Sequence, residues 1–252
     1  MKQDERREVV VLLYVVIPAW NEEESVGTVI RKVPRHFRPD VEVRVLLVDD
    51  GSTDGTVAAA KGAGADEILS FPRNRGLGAA VREGLKEAWR RGADVAVMID
   101  ADDEYPADEI PQVVEPILNG DADYVMGSRF KGTIRGMRLH RRLGNYVFTL
   151  LQSLLLGRWI YDGQSGFRAF SRDVLRDMEI IHDYNYAQVM TLNIVRQGYR
   201  MMEVPITYKV RETGESFIRG WTYLTRVVPA IWREMRRPVK QRNEREPGQN
   251  RV

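Results

Sequence analysis

Short, wholly apolar runs, each ending in a polar cluster and followed by a segment of helical period, recur through the first half of this chain. Val9–Ile17 is a continuous β-branched run that ends in Pro18-Ala19-Trp20-Asn21-Glu22. Val41–Val48 ends in Asp49-Asp50-Gly51-Ser52, and Val95–Ile99 ends in Asp100-Ala101-Asp102. Runs of this kind suit parallel strands buried on both faces, whereas half-exposed strands alternate. Between them, Val26, Val29, Ile30 and Val33 share one helical face, stopped by Pro34; further helices are expected from about Thr53, over Gly76–Arg91 and over Ala107–Asn119. Short strands are expected at Glu67–Ser70 and Asp123–Met126. Repeated β-α units imply an α/β fold, a mostly parallel sheet with helices on both faces. In such sheets ligands bind beyond the carboxyl ends of the strands, where the three polar clusters fall.

The second half reads differently. Arg138–Leu156 carries Leu139, Leu143, Val147, Leu150 and Leu154 at helical spacing. A short strand is expected at Phe167–Phe170, a helix at Tyr186–Gln197, and a strand over Tyr199–Val210 interrupted by Pro205. Phe217–Arg237 is again amphipathic, with Phe217, Trp221 and Trp232 among its apolar residues and Pro229 expected to kink it. From Pro238 onward the chain is polar and is expected to be disordered.

Composition removes several chemistries. The 252 residues include no Cys and only three His, which excludes disulfide scaffolds, thiolate zinc sites, cysteine nucleophiles and a multi-histidine metal centre. Lys+Arg 38 against Asp+Glu 36 is too balanced for a nucleic-acid binder. The basic residues cluster instead: Arg129–Arg142 holds six Lys/Arg and no acid, and Arg219–Val252 holds nine against three. No apolar run approaches the ~20 residues that span a bilayer, and the N-terminus has no secretory core. The protein is therefore expected in the cytoplasm, lying on a membrane without crossing it; the arginines near its C-terminus favour anionic lipid.

Two carboxylates one residue apart at a strand end, Asp100 and Asp102, can share a hard divalent cation with phosphate ligands, although such a pair is also common in solvated turns. Asp50 is a candidate acceptor for a ligand base or ribose, while Asp54 and Thr56 suit a turn and helix cap. Arg129, Arg141 and Arg142 lie beside the leucine-rich face of Arg138–Leu156, a combination that suits a phosphate head joined to a hydrocarbon tail. An ordinary solvated basic face on a core helix is the plain alternative.

Taken with their order and spacing, these motifs resemble the family-2 glycosyltransferases of the GT-A fold. Within that family the chain is most similar to the dolichyl- and polyprenyl-phosphate sugar synthases, of the dolichol-phosphate mannosyltransferase kind. The resemblance runs through Val15–Glu22, Val48–Thr56, Asn74–Gly78, Met98–Pro106, Gly127–Phe130, Ser165–Arg168 and Glu203–Ile206. It implies a Rossmann-like mixed sheet flanked by helices, in which Pro18, Trp20, Glu22, Asp50, Arg75 and Asp100 bind the nucleotide sugar (a GDP- or UDP-hexose). It implies further that Asp100, Asp102 and Glu104 face Mg²⁺ or Mn²⁺, with Glu104 standing where the family often has Gln. Arg129, Arg141, Arg142 and Asn145 would hold the acceptor phosphate. Asp102, Arg129 and Arg211 would be catalytic, Arg211 from a loop closing over the diphosphate in which Phe217 replaces the family's usual Lys.

The expected organisation is one GT-A domain over 1–216, with a donor half of about 8–127 and an acceptor half of about 128–216. A basic amphipathic helix over 217–237 and a tail over 238–252 follow. The expected reaction is inverting, metal-dependent transfer of a hexose to a polyprenyl or dolichyl phosphate at the cytoplasmic membrane face. Contact with the membrane is peripheral, directly or through a small membrane subunit. An ionised lipid phosphate needs no general base, in contrast to a sugar hydroxyl; Asp162 and Asp183 are the residual base candidates. Two alternatives stand beside this: a transferase of the same fold acting on a soluble phosphorylated acceptor, and a noncatalytic sugar-nucleotide-binding subunit.

Overall fold

The computed structural model describes residues 10–137, 139–181, 186–210, 229–239 and 241. Its strands are β1 (Val11–Ala19), β2 (Val41–Asp49), β3 (Glu67–Ser70), β4 (Val95–Met98), β5 (Tyr124–Arg135), β6 (Arg168–Ser171) and β7 (Met201–Lys209). The helices are α1 (Val26–Lys32), α2 (Thr56–Gly62), α3 (Leu77–Arg90), α4 (Ile110–Leu118), α5 (Leu139–Leu156), α6 (Arg172–Asp177) and α7 (Tyr186–Arg196). The strands form one mixed sheet in the order β3-β2-β1-β4-β6-β5-β7, with β6 antiparallel to both neighbours and the other pairs parallel. This is the expected α/β architecture.

Successive residues of the apolar runs point to opposite faces, so each strand feeds two cores. Leu13, Val15 and Ile17 pack with Val45, Leu47 and the α1 and α4 residues Val29, Ile30, Val113 and Val114. Tyr14, Val16, Leu46 and Val48 pack with Val81 and Leu85 of α3 and Met190 and Ile194 of α7. From the adjacent strands β1 and β4 the chain runs toward opposite edges of the sheet, to β2 and to β5, which opens a crevice at their carboxyl ends.

Several elements depart from expectation. β5 continues past Met126 to Arg135, with a register irregularity between Ser128 and Thr133, and pairs there with β7. Pro205 does not interrupt β7, because that strand lies at the sheet edge, where a missing N–H is tolerated. The helix expected from about Thr53 begins only at Thr56, after Asp54 has accepted its backbone N–H (3.0 Å). α6 has no strong periodicity but is capped by Ser171, whose hydroxyl accepts from the Val174 N–H. Of the expected terminal helix, residues 217–228 lie outside the described residues, as does nearly all of the expected tail. Residues 229–236 are helical and dock on α7 through buried Glu234, which accepts from Asn193 Nδ2 (3.1 Å) and pairs with Arg196 and Arg237. Trp232 faces outward beneath the Arg236 guanidinium, 3.7 Å from the ring centroid.

Candidate functional site

The crevice is built from three loops stitched together by side chains. After β1, Asn21 takes a left-handed conformation (φ 53°); its Oδ1 accepts from the Thr53 N–H (2.9 Å) and its own N–H donates to Ser52 Oγ (3.0 Å). The Glu22 N–H donates to Thr56 Oγ1 (2.8 Å), and the Glu22 carboxylate accepts from Ser25 (2.8 Å). Trp20, just past the end of β1, is 43% exposed, whereas Pro18 is buried within the strand.

Asp50, at the end of β2, is buried, and both its oxygens are engaged: Oδ1 by the Arg75 N–H (2.7 Å) and Oδ2 by the Gly76 N–H (2.8 Å). A buried carboxylate demands such donors. Here it shapes the 71–76 loop, and because each carboxylate oxygen can accept more than one bond this is compatible with the expected contact to a ligand base. That loop passes so close to Gly51 (φ 72°) that a Cβ there would lie 2.4 Å from the Arg73 carbonyl carbon. Arg75 lies over the Phe71 ring, 4.7 Å from its centroid.

The loop after β4 carries the acidic set. Asp102 Oδ1 accepts from the Glu104 N–H (3.1 Å), and Asp103, left-handed at φ 58°, holds Lys32 Nζ (2.6 Å). Asp100 lies against the 163–167 turn, where a Cβ on Gly166 would sit 2.3 Å from its Oδ2. Loss of hydration, then the neighbouring Glu104, push the Asp100 carboxyl up to about 6, against the opposing pull of Arg129 and Arg168. Among the described residues no three His, Cys, Asp or Glu side chains gather closely enough to hold a metal ion, so Asp100, Asp102 and Glu104 do not form a three-carboxylate cage. Hard oxygen donors and a carboxylate short of positive charge nevertheless fit Mg²⁺ or Mn²⁺ shared with phosphate oxygens.

On the acceptor side Arg129 is buried and bidentate on Asp162: Nε and Nη2 each donate at 2.7 Å, and the Arg129 backbone N–H adds a bond of 3.0 Å. Asp162 is thereby a partner of Arg129 and no longer a candidate base. Its own backbone N–H and that of Tyr161 donate to Glu203 of β7 (3.0 Å each). The Arg129 guanidinium also lies 5.2 Å from the Tyr208 ring centroid. Arg142 is exposed on the first turn of α5, over Tyr146, which stacks on Phe130 (4.5 Å between centroids). Asn145 Nδ2 contacts Met137 Sδ (3.9 Å). The side chain of Arg141, and all of Asp183 and Arg211, lie outside the described residues.

α5 faces the reverse of a core helix. Leu139, Leu143, Val147, Leu150 and Leu154 point outward, Leu139 82% and Leu154 71% exposed, while Thr149, Gln152 and Ser153 are buried. The cause is the loop beneath: the Gly163 N–H donates to Thr149 Oγ1 (3.1 Å), the Ile160 N–H donates to Ser153 Oγ (3.1 Å), and Gln152 Nε2 donates to the Gln188 carbonyl (3.4 Å). Backbone groups needing partners draw the polar stripe inward.

Sequence reasoning named Glu203 and Tyr105 only within motifs, with no role, and missed Tyr208 altogether; Tyr208 lies in ordinary strand context, and only the sheet order brings β7 to the acidic loop. Arg168, fully buried, was seen only as part of a motif; it donates to the Ser165 (2.7 Å), Gly163 (3.1 Å) and Ala187 (3.0 Å) carbonyls and so clamps the turn that rests on Asp100.

The model of the family described as "Glycosyl transferase family 2" matches residues 14–179. A UDP-N-acetylglucosamine–dolichyl-phosphate N-acetylglucosaminyltransferase of Methanococcus voltae is 34% identical over 230 residues, covering 83% of this chain and 89% of that protein. A polyprenol monophosphomannose synthase of Mycolicibacterium smegmatis is 34% identical over 222 residues, 82% of this chain and 80% of its own length. Among solved structures, glucosyl-3-phosphoglycerate synthase of Mycobacterium tuberculosis in complex with Mn²⁺, UDP-glucose and phosphoglyceric acid superposes with a TM-score of 0.70. It is 24% identical and covers 90% of this chain and 81% of its own, a likeness of fold.

Proposed function

The chain belongs to glycosyl transferase family 2 and is a hexosyltransferase, and from that premise we propose that it transfers a hexose from a nucleoside-diphosphate sugar to a polyprenyl phosphate, with inversion, at a membrane surface. The observation that carries the lipid acceptor is the outward leucine face of α5, which carries Arg142 in its first turn and meets Phe130, the neighbour of buried Arg129 in sequence, through Tyr146. A cationic head site running into an exposed apolar helix face fits an anion with a hydrocarbon tail, and a helix of that composition rests on an interface. Among the described residues no helix is long and apolar enough to cross a membrane, so the reading is peripheral contact. The names of the relatives, which specify dolichyl-phosphate and polyprenol acceptors, support the same class.

In this reading Pro18, Trp20, Glu22 and Arg75 line the nucleotide side, with Asp50 fixing the loop that presents Arg75. Asp100 and Asp102 hold Mg²⁺ or Mn²⁺ against the diphosphate, with Glu104 adjacent; the solved structure of the same fold contains Mn²⁺. The cation, when bound, supplies charge that stabilises the leaving diphosphate. Arg129, oriented by Asp162, aims the acceptor phosphate, and Arg141, Arg142 and Asn145 flank it. The acceptor oxygen is already ionised at neutral pH, so direct displacement at the anomeric carbon needs no general base, consistent with Asp162 being committed to Arg129. Arg211, two residues beyond the end of β7 and outside the described residues, would supply further positive charge to the diphosphate.

The test is incubation of the protein with UDP- and GDP-hexoses, Mg²⁺ or Mn²⁺, and either a short-chain polyprenyl phosphate or 3-phosphoglycerate. The reading expects a lipid-linked sugar of inverted anomeric configuration. Transfer to 3-phosphoglycerate alone, or retention of configuration, contradicts it.

A further inference from the structure

Four consecutive backbone N–H groups of the loop before β6 each donate to a side chain of another element. On α5, Ser153 Oγ accepts from the Ile160 N–H (3.1 Å) and Thr149 Oγ1 from the Gly163 N–H (3.1 Å). On β7, Glu203 Oε1 accepts from the N–H groups of Tyr161 and Asp162 (3.0 Å each). Backbone donors need acceptors, and a loop that finds them on α5 and β7 takes its path from those two elements. Its approach to α5 is close enough that a Cβ on Gly163 would run into Gln152 Oε1.

Asp162 lies between the two grips. Glu203 holds the N–H of the peptide before its Cα, and Thr149 holds the N–H of the peptide after it. With the planes on both sides fixed, the backbone dihedrals of Asp162 are fixed too, and with them the direction in which its carboxylate leaves the chain. That carboxylate receives Arg129 through Nε and Nη2 (2.7 Å each) and through the Arg129 N–H (3.0 Å). A continuous run of contacts thus joins the inner face of α5 to the acceptor-side arginine, while the outer face of the same helix carries the exposed Leu143, Leu150 and Leu154.

We propose that Thr149 and Glu203 are positioning residues for the acceptor phosphate: by gripping the peptides on either side of Asp162 they aim its carboxylate, and through it the Arg129 guanidinium. The inference rests on the proposed acceptor reading and deepens it, assigning the aim of the arginine to one residue inside the leucine-faced helix and one on β7. Both residues act through the Asp162–Arg129 pair, so losing either grip has its effect only while that pair is intact.

The experiment measures, in the full chain, kcat and KM for a short-chain polyprenyl phosphate, and KM for whichever UDP- or GDP-hexose the protein uses. Thr149→Val keeps the side-chain shape and removes the acceptor of the Gly163 N–H, Thr149→Ser keeps the hydroxyl, and thermal melting checks the fold of each. The expected result for Thr149→Val is an acceptor KM about tenfold higher, a fraction of the roughly 100-fold that a misplacement of about 1 Å can cost, with the donor KM unchanged. Thr149→Ser restores the acceptor KM. Glu203→Gln, the second variant, turns an amide N–H against the N–H of Tyr161 and raises the acceptor KM as well. Thr149→Val combined with Asp162→Asn is no worse than Asp162→Asn alone. An acceptor KM unchanged in Thr149→Val or in Glu203→Gln while Asp162→Asn raises it, a fall confined to kcat, or effects of Thr149→Val and Asp162→Asn that multiply, overturns the assignment and leaves the acceptor reading intact. An acceptor KM unchanged in Asp162→Asn, or no transfer to the lipid phosphate by the unmodified protein, overturns both.

Discussion

Replacing Asp162 with Asn isolates the interaction on which the acceptor side depends. Asp162 is fully buried, Arg129 is nearly so, and two guanidinium nitrogens and the backbone N–H groups of Arg129 and Gln164 converge on the carboxylate at 2.7–3.2 Å. Asn keeps the shape but removes the charge, and it offers a single carbonyl oxygen where two oxygens now accept. One guanidinium nitrogen loses its acceptor, its amide replacement is itself a donor, and the buried positive charge has no counterion. Breaking a buried pair from one side costs about 3–5 kcal/mol, of which most is the orphaned charge. The exposed pair Arg44–Glu42 (2.5 Å, both partners 47% exposed) is the control: Glu42→Gln costs far less because water solvates the arginine left behind. Urea unfolding of the two variants gives the comparison, and the KM for a polyprenyl phosphate acceptor should rise in Asp162→Asn alone. If the two variants lose similar, small amounts of stability, the argument that Asp162 holds Arg129 in place is wrong.

Three further outcomes follow from named contacts. Gly166→Ala drives a Cβ to 2.3 Å from Asp100 Oδ2, so the carboxylate must rotate; Mn²⁺ affinity should fall about tenfold while the melting temperature changes little, and an unchanged affinity would refute the close packing. Asp100→Asn should stabilise the metal-free protein: a carboxyl raised to about 6 binds its proton more tightly folded than unfolded, so stability falls as pH rises from about 4 to 6 and stays low above. In EDTA at pH 7.5 the variant should gain about 3 kcal/mol, and the gain should vanish near pH 3.5; equal stability at both pH values counts against a strained Asp100. Replacing Leu143, Leu150 and Leu154 together with Ser should leave the urea midpoint nearly unchanged, since these side chains are already exposed, yet abolish sedimentation with anionic vesicles. A large loss of stability would mean that the face is packed.

The sequence announced the first half of the chain well, because each buried strand there is a continuous apolar run and each polar cluster sits at a strand end by the logic of parallel sheets. It announced the second half poorly. The antiparallel insertion of β6 rests on four residues, Arg168–Ser171, and the extension of β5 to Arg135 passes through polar residues that pair only because β7 lies alongside. The periodicity of α5 was plain, but its orientation was not: nothing local to Thr149, Gln152 or Ser153 reveals that the backbone of Gly163 and Ile160 will draw them inside. Likewise Arg129 was legible only as a candidate phosphate ligand, whereas its pairing with Asp162, thirty-three residues away, is a product of tertiary structure.

The account depends most on a cation held between the loop after β4 and the donor diphosphate. Anomalous diffraction at the manganese edge, from crystals soaked with Mn²⁺ and UDP or GDP, tests it most directly. The account predicts one strong peak within coordination distance of an Asp102 oxygen and of both phosphates, absent in Asp102→Ala. A nucleotide bound with its diphosphate elsewhere, or manganese bound away from Asp102, would contradict it.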